Sequence, residues 1–244
     1  MGASASCMTT DTNVISTYST EEMRKWFPVV NDEQTFKAYI EYAMKNDHKR
    51  QINNLLKKDG FIEKDVNNCL TATSQERLTT GLKPFNVFAR YASGEMDNPV
   101  DQSIIQDYSK DWMLCYNRPE NDENWDDATN KAVSMSGPDE NGPGHVFITT
   151  KNLDSRLFNI ATIVLTKNVK FLLELKDVAS HYAKKRGWEK AGFYFHCFPH
   201  NSVNSLHLHV CNEDEQYIGH MHKECQYKNL PLDAAIAVAQ DISK

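Results

Sequence analysis

The stretch Asn201-Ser202-Val203-Asn204-Ser205-Leu206-His207-Leu208-His209-Val210-Cys211 decides the reading of this chain. Along an extended strand successive side chains point to opposite faces. Ser205, His207 and His209 therefore share one face, and Leu206, Leu208 and Val210 share the other. The apolar face needs a second layer to bury it. The polar face can open on a pocket, where two imidazoles two residues apart can grip a phosphate, attack it, or ligate a metal.

Outward from this stretch, the C-terminal part of the chain alternates strands and helices. Phe193–Cys197 reads as the preceding strand, and the turn between the two carries Pro199, His200 and Asn201. Phe171, Leu175, Val178 and Tyr182 recur on one helical face, and that helix ends in Lys184-Lys185-Arg186 before Gly187, a basic last turn followed by a glycine stop. Pro231 starts a last helix with Leu232, Ile236, Ala239 and Ile242 for burial. Upstream, His145–Thr150 and Trp112–Tyr116 read as strands. The proline- and glycine-rich residues 117–144 between them form a long loop. Its acids from Glu120 to Asp127 read as a solvated cluster, and Trp125 among them is a candidate lid residue.

The N-terminal half reads differently. Residues 31–58 are helical in pattern, with Asn31 and Gln34 at capping-box spacing and Phe36, Tyr39, Ile40 and Ala43 on one face. A second helical stretch carries Ile52, Leu55 and Leu56 and stops at Asp59-Gly60. That turn lacks the alternating carboxylates of a calcium loop. The chain opens Met1-Gly2-Ala3-Ser4-Ala5-Ser6-Cys7, which matches an N-myristoylation pattern at Gly2 with Cys7 placed for palmitoylation. Two acyl chains anchor stably where one does not, so the expectation is a cytoplasmic protein tethered to the inner membrane surface, a lipoprotein.

Composition bounds the rest. With 244 residues, 40% hydrophobic and 25% charged, the chain can bury a core without staples. The longest apolar run, Ala234 to Ala239, is far below a membrane span of about 20 residues. Lys plus Arg is 27 and Asp plus Glu is 33, a net charge of −6 that argues against binding long nucleic acid but leaves room for a nucleotide in a small pocket. The six cysteines form no CxxC pair, and with no secretory leader expected they read as reduced cytosolic thiols.

The alternating segment resembles the signature of the histidine triad superfamily, in which His-x-His-x-His alternates with apolar residues. Phe195-His196-Cys197-Phe198-Pro199-His200-Asn201-Ser202-Val203 looks most like its phosphoramidase-type and scavenger-decapping branches. The resemblance covers residues 144–242; residues 20–140 match no family. It implies an α+β fold, with a HIT-like antiparallel sheet and the 168–186 helix packed on one face, preceded by a mostly helical N-terminal region. The divisions expected are 1–20 disordered, 21–140 helical with the acidic loop, and 141–244 HIT-like.

The implied activity is nucleotide phosphohydrolase or nucleotidyl transferase at the α-phosphate, through a covalent nucleotidyl-histidine and with no metal or other cofactor. His207 matches the nucleophile and His209 the third histidine, which holds the phosphate. Ser202 and Asn201 match the residues that contact the phosphate or leaving group. His196 and His200 are further candidates for substrate contact. The partner is a nucleotide or nucleotide conjugate, and the same resemblance implies either a homodimer or a long extension that takes the place of the second subunit. Two positions depart from the pattern. Ser205 stands where the first triad histidine falls, and Asn152, after Lys151, stands about where an earlier strand-end histidine falls. A hydroxyl can hydrogen-bond but cannot carry positive charge at neutral pH, so altered specificity or weakened catalysis is implied.

Two other classes compete. One is a membrane-tethered, catalytically weakened nucleotide-binding or interaction module. The other is a cupin-like metal enzyme, since His207, His209 and Glu213 have the spacing of a two-histidine, one-carboxylate site. The helical first half argues against a jelly roll.

Overall fold

The computed structural model describes residues 28–45, 87–94, 105–107, 109–116, 144–198, 200–201, 205–213 and 227–244. The elements are α1 (Glu33–Lys45), α2 (Val87–Ser93), β1 (Ile105–Asp107), β2 (Trp112–Tyr116), β3 (His145–Thr150), α3 (Ile160–Leu165), α4 (Val169–Lys185), β4 (Ala191–Phe195), β5 (Leu208–Asn212), β6 (Leu230–Pro231) and α5 (Leu232–Ser243), with a 3-10 turn at Ser155–Leu157. The fold class is α+β. All neighbouring strands are antiparallel, in one open sheet of order β1-β2-β3-β5-β4-β6.

The register sorts the side chains cleanly. Ile148 pairs with both Leu114 and Leu208, and Val146 pairs with Val210. These residues point to one face and join α1, α3, α4 and α5 in a single core cluster. α4 supplies Phe171, Leu172, Leu175, Ala179 and Tyr182 at helical spacing. Its exit is the glycine stop: Gly187 takes φ +69° and donates to the Lys184 carbonyl. α5 starts after Pro231 and buries Leu232, Ala235, Ile236, Val238 and Ala239. α3 has no polar face because all six of its residues are buried, and Asn159 caps it by accepting from the Thr162 amide at 2.9 Å.

Four expectations shift. The cap of α1 is Asp32, one residue later than the expected Asn31: the Asp32 carboxylate accepts from the Thr35 amide at 2.7 Å, and the Asp32 amide donates to Thr35 Oγ1 at 3.1 Å. Asn31 instead donates from Nδ2 to the Tyr227 carbonyl. β4 begins and ends two residues earlier than expected, so His196 and Cys197 follow the strand. β5 begins at Leu208, which leaves Ser205 and His207 in the approach to it. The expected division at 140/141 falls inside the sheet, because β2 pairs with β3 along its whole length and Phe36, Ile40 and Leu114 lie in the same core as the C-terminal helices.

Several expectations lie outside the described residues: the acylation positions Gly2 and Cys7, the stretch around Ile52 to Gly60, the acidic segment with Trp125, and Ser202. Among the described residues, no helix is long and apolar enough to cross a membrane.

Candidate functional site

The face of the sheet opposite the main core carries Cys115, Phe147, His209 and Tyr194 in one cross-strand row. The next row holds His145, Cys211 and Gly192. His207 precedes β5 on the same side, since its ring meets Phe147 at 5.7 Å and His209 at 4.8 Å between centroids. His196 arrives from the end of β4, 4.3 Å from His209, and His145 is 5.2 Å from it. His209 is thus the hub of four imidazoles drawn from three strands or their ends.

The hydrogen bonds fix most of the ring tautomers. His207 Nδ1 lies 2.7 Å from the Ser205 carbonyl, which can only accept, so Nδ1 carries the proton and the lone pair of the neutral ring sits on Nε2. His196 Nε2 donates to Asn229 Oδ1 at 2.8 Å. His145 Nε2 and His209 Nδ1 share one proton at 2.9 Å. His209 Nε2 is buried and finds no hydrogen-bond partner among the described residues. A buried polar atom left in this state costs free energy that a ligand group could recover.

Burial also sets the charge of the cluster. It drives the His196 pKa down to about 3, with the Lys228 ammonium as the second cause. His209 is held well below the ordinary histidine value by burial first, then by His196 and the other rings. Both are neutral at physiological pH. Burial pushes the Cys115 thiol up to about 12 and Cys197 higher still, so neither supplies a thiolate.

The remaining neighbours shape the space. Thr149 Oγ1 donates to the Leu206 carbonyl at 2.6 Å and pins the approach to β5. Gly192 permits the Tyr194 ring to lie against the sheet, where its hydroxyl bonds Glu213; any Cβ at 192 would collide with both side chains. α2 covers the histidine side. Its Phe88 amide donates to Ser205 Oγ at 3.2 Å, and the Phe88 ring stands edge-on to His207 at 5.0 Å and near Phe147 at 5.2 Å.

Of the sequence-derived candidates, His207, His209, Ser205 and His196 come together. His200 and Asn201 are buried nearby in the chain, with the His200 ring turned towards Tyr227. Asn152 is exposed beyond β3 and bonds Thr150 and Asp154, not the imidazoles. Glu213 bonds Tyr194, and among the described residues no group of three His, Cys, Asp or Glu side chains converges to hold a metal ion. The sequence reading missed His145, Asn229 and Phe88. The strand alternation places His145 on the face of Phe147, but only the β3–β5 register reveals its link to His209. No family model, curated protein or solved structure matches the chain.

Proposed function

We propose that the protein is a nucleotide phosphohydrolase or nucleotidyl transferase that works through His207. The observation that carries this reading is the His207 Nδ1 bond to the Ser205 carbonyl, which commits one ring nitrogen as donor and leaves Nε2 as the basic, nucleophilic one. In the proposed reaction Nε2 attacks the α-phosphorus, and a P–N bond forms as the bond to the leaving group breaks. Water then attacks phosphorus and returns the electron pair to Nε2. With the shared proton on His145, His209 carries its own on Nε2, which finds no partner among the described residues and is suited to donate to a phosphoryl oxygen, while His145 on the far nitrogen of that ring fixes its orientation. The resemblance to histidine triad proteins supports the same assignment.

The test is intact-mass detection of a nucleotidyl adduct with adenosine phosphoramidate as substrate. The wild-type chain gains the mass of one nucleotidyl group, and His207→Ala gains nothing and loses hydrolysis by about a thousandfold or more. Hydrolysis at the wild-type rate by His207→Ala sinks the assignment.

A second reading, a nucleotide-binding module with weakened catalysis, is favoured by one observation. The Ser205 hydroxyl, standing in for an expected histidine, is engaged by the amide of α2, and Phe88 lies over the nucleophile. Nucleotide binding without any adduct would select this reading over the first.

A further inference from the structure

α2 is tied to the molecule differently from the other helices. It has seven residues, too few to stay helical in water without support. Residues 88–93 contribute nothing to the core cluster that α1, α3, α4 and α5 share. The seat of α2 is the histidine face instead. Ala89 is fully buried, and the half-buried Phe88 ring packs on Phe147 at 5.2 Å and on His207 at 5.0 Å. The Phe88 amide donates to Ser205 Oγ at 3.2 Å.

That seat shields the nucleophile. His207 is 9% exposed, and its Nδ1 faces the Ser205 carbonyl, so the reactive Nε2 lies on the other side of a covered ring. Attack on phosphorus needs the two atoms brought to about 3–3.5 Å with their orbitals aligned. A ring so covered cannot receive a nucleotide until something moves. Because α2 is seated outside the core, it can leave by a local opening that takes far less free energy than global unfolding.

We infer that α2 is an autoinhibitory cover over His207, latched by the Phe88 amide on Ser205 Oγ, and that nucleotide enters by capturing the open form. The cover rests on the contacts above, and its nucleotide ligand rests on the His207 chemistry already proposed. The apparent affinity for nucleotide is then reduced by the fraction of chains that are open. The latch also gives the Ser205 hydroxyl a task other than catalysis.

The experiment is residue-resolved labelling by diethyl pyrocarbonate at pH 7 in the full-length wild type, Phe88→Ala and Ser205→Ala, with urea midpoints measured in parallel. The reagent acylates the imidazole lone pair, so His207 reports its own accessibility, and the exposed His181 of α4 serves as internal standard. Relative to His181, His207 should label about tenfold faster in each variant, the effect of losing one anchor from the closed form. The urea midpoints should stay close to that of the wild type. Unchanged His207 labelling in either variant overturns the inference. So does faster labelling matched by an equal loss of global stability, since unfolding of the whole chain would then expose the ring. If the wild type forms the nucleotidyl adduct while His207 labels alike in all three chains, this inference alone falls. If the variants label faster but no chain binds AMP or forms the adduct, the phosphate reading falls and α2 stands as a cover over a reactive imidazole.

Discussion

The two faces of the sheet bury side chains to similar depth and to opposite ends. On one, Val146, Ile148, Leu208 and Val210 are each fully shielded and belong to the core that the helices cover. On the other, His145, Thr149, His207 and His209 are also withdrawn from water, none more than 9% exposed, yet every one of them is polar. The first face gains free energy from each square ångström it hides. The second pays desolvation of its imidazoles and leaves one nitrogen of His209 without a partner among the described residues. A chain selected for stability alone would fill both faces alike, so the contrast makes the histidine face the candidate site on which the proposed function rests.

Three experiments sharpen or break that contrast. Acid should act on the histidine face most. The folded pKa values of His196 and His209 lie below the ordinary 6.5, so the unfolded chain takes up protons that the folded chain refuses. The His196 contribution is complete above pH 6.5 and drains away as pH falls towards about 3, and that of His209 is lost in the same direction. Urea midpoints at pH 7, 6 and 5 should fall steadily, over a range where carboxylates scarcely titrate. A His196→Asn, His209→Gln double variant should show a flatter profile, and identical profiles would refute the burial argument.

Leu208→Ala removes a fully buried side chain from the apolar face and should cost about 2–5 kcal/mol, read from the urea midpoint. A cost below about 1 kcal/mol would mean that the face is not packed as described. Thr149→Val keeps the shape but strips the donor from the buried Leu206 carbonyl, for a smaller loss of about 1–3 kcal/mol. Because that bond pins the approach to His207, turnover should fall alongside stability. Loss of stability with full turnover would show that the approach to β5 is held by other contacts.

What the sequence disclosed follows from which forces are local. α4 was legible from its apolar spacing and glycine stop, within one residue at each end, and β2 and β3 from apolar, β-rich runs whose bounds agree with the structure. α3 escaped because six consecutive buried residues, five of them apolar, have no period, and β1 and β6 escaped because two or three residues carry no pattern. The heart of the site was legible in part. His207 and His209 announce themselves by alternation within one segment. His145 and Phe88 do not, because what joins them to the cluster is strand order and helix docking, which are long-range consequences of the core. Asn152 shows the converse: a position that fits a family pattern along the chain bonds elsewhere in space.

Cys115 and Cys211 belong to the same side of the sheet as the imidazoles, and both thiols are shut away from solvent. They form a built-in clock. A small alkylating reagent reaches them only while their cover is withdrawn, so the rate at which they are tagged counts how often that face is uncovered, and a nucleotide bound as proposed should slow it.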